Sequence, residues 1–123
     1  MRRQCERGAV AVEMALVLPV LILLLLGIME FGRAFNTQVT LTHAAREGVR
    51  VMAISKNPND ARIKAIGAAV SLNPLPTVID VTPCNTSLVG QQTTVTITYQ
   101  LSTLTGIAGP FTMKGRGVML CGG

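Results

Sequence analysis

One carboxylate, Glu13, stands inside an otherwise uncharged run, Ala9 to Met29, that reads AVAVEMALVLPVLILLLLGIM. A bare charge within an apolar membrane helix costs at least about 2.5 kcal/mol, so this residue needs a partner or a polar boundary. Two arrangements supply one. The carboxylate can snorkel to the headgroups at the interface, favoured there by the positive end of the helix dipole. Alternatively, cleavage after Gly8 would make Ala9 a new N-terminus, with its cationic α-amine four residues before Glu13 on the same helix face. Pairing of Glu13 with that amine, its own or a neighbouring chain's, would be a charge-assisted bond in an apolar setting and would set the axial register of packed helices. On this second reading Gly8 and Ala9 form a processing site and Glu13 is an assembly residue.

The other reactive side chains do not make a catalytic set. The single histidine, His43, has no Cys, Asp or second His at ligand spacing, and Glu47 four residues on points to a surface pair. Beyond the apolar run the acids are Glu30, Glu47, Asp60 and Asp80, and no pairing of nucleophile, base and orienting acid suggests itself. No enzyme, cofactor, metal site or small-molecule substrate is expected. Nor is nucleic acid: the net charge of +5 is scattered along the chain, with one Tyr, three Phe and no Trp for stacking. Arg46 and Arg50 share a helix face by their spacing. They read either as a solvated face salt-bridged through Glu47 or as a surface that selects a neighbour's register.

The elements that position these residues begin with the apolar run itself, 21 residues from Ala9 to Met29, which is long enough to span a bilayer. The preceding MRRQCERG carries Arg2, Arg3 and Arg7 against one Glu6, so the N-terminus is expected in the cytoplasm and the C-terminal domain outside. A cleavable secretory signal fits poorly, because the run is too long, contains Glu13 and is not followed by a small-residue cleavage site. The expected organisation is a cytoplasmic leader at 1–8, a transmembrane helix at 9–29 and an extracytoplasmic domain at 30–123. So small a domain has a modest core and gains from a staple. Cys84 and Cys121 lie where oxidation is permitted, while Cys5 lies in the leader. The first two are expected to form a disulfide, which would close a loop of about 37 residues and stabilise the domain by roughly 3–4 kcal/mol in the chain-entropy treatment. Two free thiols are the alternative, since spacing alone fixes no geometry.

The segment RGAVAVEMALVLPVLILLLLGIMEFGR resembles the N-terminus of TadE-like proteins, minor pilins or pseudopilins of the tight adherence pilus system. The likeness rests on Arg7, Gly8, Glu13, Pro19 and the Glu30, Phe31, Gly32 triplet, and continues in AAREGVRVMA at Ala44 to Ala53. It is strong over roughly the first 55 residues and extends to the remainder only in general layout. The resemblance implies a single-pass protein of the bacterial inner membrane, cut by a prepilin peptidase at a glycine with a glutamate five residues downstream. It further implies a role with other pilins and assembly proteins in pilus assembly, adherence or associated secretion. Gly8 and Glu13 hold the matching positions; Met14 departs from the Tyr or Phe frequent after that glutamate while remaining apolar. The competing class is a permanently anchored periplasmic accessory or binding domain of a secretion or assembly machine.

Beyond Glu30 the helical period continues to about Ser55, with Phe31, Phe35, Val39, Ala45, Val49 and Met52 as the expected packing stripe. The whole helix would be about 45 residues, roughly 70 Å, with bending expected at Pro19, Gly27, Gly32 and Gly48. KNPND at Lys56 to Asp60 marks a turn and a helix start. A second helix is expected from Asn59 to Leu72 with Ile63, Ile66, Ala69 and Val70 on its packing face. Period two then predicts strands at Thr77 to Val81 and Thr93 to Leu101, the latter with Val95, Ile97, Tyr99 and Leu101 facing one way. A third strand follows in FTMKGRGVML, where Gly115 and Gly117 weaken it or mark a bulge. The expected fold is α+β and pilin-like: a long N-terminal helix, transmembrane in one half and amphipathic in the other, a second short helix and a small antiparallel sheet of about three strands.

Overall fold

The structure, a computed structural model, describes residues 2–85 and 90–122, and describes side chains from Arg7 onward within those ranges. The expectations for Arg2, Arg3, Cys5 and Glu6 of the leader fall outside the described side chains. Helix α1 (Arg2–Ser55) runs without a break through Pro19, Gly27, Gly32 and Gly48. It contributes to two compact units, one ending at Arg33 and one beginning at Ala34.

The first unit is helix alone. Its large apolar side chains from Val10 to Phe31 are exposed except for half-buried Leu26, and no residue of its most apolar 18-residue window, of mean hydropathy 2.8, is buried within the protein. By length and composition this helix can cross a membrane, where lipid tails would cover what the protein leaves bare.

The second unit holds the rest of α1, helix α2 (Pro58–Ala68) and strands β1 (Val78–Val81), β2 (Gln92–Leu101) and β3 (Phe111–Leu120). The strands form one antiparallel sheet in the order β1-β2-β3, with Ile79 opposite Ile97 and Ile97 opposite Gly115. This is the α+β arrangement expected from the sequence. At the α1–α2 corner Lys56 takes a left-handed conformation (φ 56°) while its N–H still bonds the Met52 carbonyl at 3.0 Å. Asn57 then caps α2, its side-chain oxygen accepting from the Asn59 N–H at 3.0 Å, and Pro58 opens the helix, where a missing N–H costs nothing.

Period two holds strictly along β2: Thr93, Val95, Ile97, Tyr99 and Leu101 are buried on the face that meets the helices, and the threonines between them are half-buried. They pack with Leu41, Ala44, Ala45 and Val49 of α1 and Ala65 and Ala69 of the α2 region. The glycines of β3 are neither a bulge nor a weakness. The register runs unbroken through Val95 opposite Gly117 and Ile97 opposite Gly115, and α1 lies so close that a Cβ at Gly115 would collide with the Leu41 carbonyl. The backbone of the helix rests on the strand where side chains are absent.

That close approach decides which faces turn inward. Ala45, Val49 and Met52 are buried as the period predicts, but Phe35 is 64% exposed and Val39 also faces out; Thr37, Leu41 and Ala44 take the inner positions. In α2 the correction is larger. The buried residues are Ala61, Ala65 and, just past the helix, Ala69, while Ile63 is 68% and Val70 75% exposed and Ile66 also reaches solvent. Gly48 explains the choice: a Cβ there would stand 3.0 Å from the Ala65 Cβ and 3.2 Å from the Ala61 carbonyl, so α1 and α2 cross at small residues with no room for isoleucine. The helix itself is shorter than expected, ending at Ala68, after which the Ala69 and Leu72 N–H groups close single turns.

Candidate assembly surfaces

Gly8, Ala9 and Glu13 all lie on α1, exposed, with Ala9 and Glu13 one helical turn apart. Because α1 begins at Arg2, Gly8 lies inside a helix and not before it. A Cβ at Gly8 would meet nothing within 4 Å. The same holds of Gly27 and Gly32, so it is the position five residues before Glu13 that sets Gly8 apart.

Arg46 and Arg50 project from the exposed side of α1 in the second unit, the side that also carries Phe35 and Val39. Arg46 borders a shallow depression with Gln38, Val39, Thr42 and His43. A larger open groove, about 540 Å³, runs between α1 and α2: His43, Glu47 and Val51 form one wall, Asp60, Ile63, Lys64, Gly67 and Ala68 the other. His43 and Glu47 thus share a wall of a groove with an apolar lining, an arrangement that the spacing of the two residues alone did not reveal. Among the described residues no group of three His, Cys, Asp or Glu side chains could hold a metal ion.

Cys84 and Cys121 are bonded to one another, with their Cα atoms 5.7 Å apart. The bond ties the segment after β1 to the end of β3, at the same end of the unit as the hydrogen bond from the Gly122 N–H to the Ala53 carbonyl at 3.2 Å.

The family described as TadE-like protein matches residues 8–50, from Gly8 through Arg50. No curated protein and no solved structure matches the chain. The matched stretch holds Glu13, the apolar run and both arginines of the exposed helix face, and over those residues the chain is similar to the TadE-like family.

Proposed function

We propose that this protein is a minor pilin or pseudopilin of a tight adherence pilus, cut after Gly8 by a prepilin peptidase and then joined to other pilins through α1. The observation that carries the reading is the TadE-like match, which begins at Gly8 and includes Glu13, the one carboxylate of the otherwise uncharged run Ala9 to Met29. In the membrane the N-terminal residues face the cytoplasm and the second unit lies in the periplasm, as the arginines before the apolar run favour. Cleavage frees the Ala9 amine, and Glu13 of the same or a neighbouring helix pairs with it in the apolar interior, where a missing partner would be costly. Glycine at position 8 eases the local unwinding a peptidase needs, since it favours the helix less than alanine by roughly 0.5–1 kcal/mol. The protein's part is assembly, and no catalytic step is assigned to it.

A permanently anchored accessory domain is the second reading, favoured by the continuity of α1 from Arg2 through Gly8. The N-terminus and intact mass of protein from native membranes, with and without the peptidase, separate the two. A peptidase-dependent start at Ala9 supports the pilin; an intact Met1 under both conditions supports the anchored domain. Gly8→Leu should leave precursor in the membrane, and Glu13→Ala should permit cleavage but reduce recovery in sheared pili; normal pili from both variants would sink the proposal.

A further inference from the structure

We infer that the β2–β3 loop, residues 102–110, is a second membrane contact that docks on the lipid surface. The direction of α1 within the second unit places the loop. Going along β3, the Lys114 carbonyl accepts from the Gln38 side-chain amide at 2.9 Å, Gly115 meets Leu41, Gly117 meets Ala45, and Gly122 bonds Ala53. Helix and strand therefore run the same way, and the start of β3, with the loop before it, lies at the end of the unit where α1 begins at Ala34. Ala34 follows Met29, the last residue of the apolar run, by five positions, so the chain itself holds this end close to the bilayer.

The loop has the chemistry of a lipid contact. STLTGIAGP contains no charged residue. Ile107 at its tip is 84% exposed, and Leu104 and Phe111 on either side are also exposed. The shape is preformed: Gly106 takes φ 67°, and the Thr103 hydroxyl donates to the Ala108 carbonyl at 2.7 Å. Leu75 adds a further exposed apolar side chain at this end, because Asn73 accepts from the Tyr99 hydroxyl and Val78 pairs with Thr98. Exposed Lys114, three residues beyond Phe111, is placed to meet lipid phosphates. An uncharged apolar tip flanked by a lysine, tethered at a membrane, is better covered by the interfacial region than by water.

This rests on the apolar helix spanning the bilayer and not on cleavage at Gly8. The chain has no Trp, so single tryptophans report their own sites. Full-length Ile107→Trp, Val17→Trp and Lys56→Trp would each be reconstituted into phosphatidylcholine vesicles containing a fifth anionic lipid, with and without brominated acyl chains. Lys56, just past the end of α1, lies at the far end of the unit, roughly 33 Å from Ala34 at 1.5 Å per residue. Val17→Trp, in the span, should be strongly quenched. Ile107→Trp should be quenched about twofold or more over Lys56→Trp, as expected of a ring roughly 5–10 Å into the headgroup boundary. Val17→Trp quenched with Ile107→Trp no more quenched than Lys56→Trp would overturn the loop contact alone, and would turn the apolar tip toward a protein neighbour. Absence of quenching at Val17→Trp would overturn the membrane reading and the loop contact together.

Discussion

Gly117 of β3 lies directly beneath the Ala45 carbonyl of α1, so close that a methyl group at 117 would stand 2.6 Å from that oxygen. The adjoining inward position, Gly115, meets Leu41 in the same way. The two glycines are the seat on which the helix rests, and they set the spacing of the whole second unit.

Gly117→Ala should therefore force α1 off the sheet. Overpacking of this kind costs about 1–3 kcal/mol, and each kcal/mol lowers the Tm of a domain this size by roughly 4–8 °C. Thermal unfolding of the full chain in detergent, followed by circular dichroism, measures it; an unchanged Tm would mean that the helix does not sit where described.

Gly67→Ala should do the opposite. It lies on the exposed side of α2, where a Cβ would meet nothing within 4 Å, so the substitution removes backbone freedom from the unfolded chain without a clash. The expected gain is about 0.4–1 kcal/mol, read as a higher Tm in the same assay.

The inward face of α2 is testable by a pair. Ala65→Leu, at the crossing with Gly48, should destabilise by about 1–3 kcal/mol, whereas Ile63→Ser at the exposed side should change stability by about 0.5 kcal/mol or less. The reverse ranking would restore isoleucine to the core and overturn the α2 packing.

Cys84→Ser should cost roughly 3–4 kcal/mol, because the bond to Cys121 closes a separation of 37 residues in the unfolded chain. The loss should appear only under oxidising conditions. With reductant present, the wild type and the variant should melt together.

Elements were legible wherever a local rule governs. The strands at Val78–Val81, Gln92–Leu101 and Phe111–Leu120 fall within a residue or two of the alternation that announces them, because a pleated strand with one buried face allows little else. The Lys56 to Pro58 corner was equally plain, since a proline that cannot continue one helix is suited to open the next. The face of each helix was legible only in part: Ala45, Val49 and Met52 of α1, and Ala69 just past α2, are buried as expected. Elsewhere Phe35, Val39, Ile63 and Val70 are the more hydrophobic candidates, yet Thr37, Ala44, Ala61 and Ala65 are buried. Hydrophobicity ranks residues by what they gain on burial, but says nothing of the space available.

From the sequence by itself came a helix long and apolar enough to cross a membrane, a lone carboxylate within it, and two cysteines able to bond beyond it, because length, charge and spacing are properties of the chain. Tertiary structure alone decided the rest: Gly115 and Gly117 bring the α1 backbone onto β3, and Gly48 brings it onto Ala61 and Ala65. At those separations only small side chains fit between the elements; Leu41, Val49 and Met52 of α1 are still buried, but other large apolar side chains turn outward. There they remain as surface, on α2, on the outer side of α1 and at the tip of the β2–β3 loop.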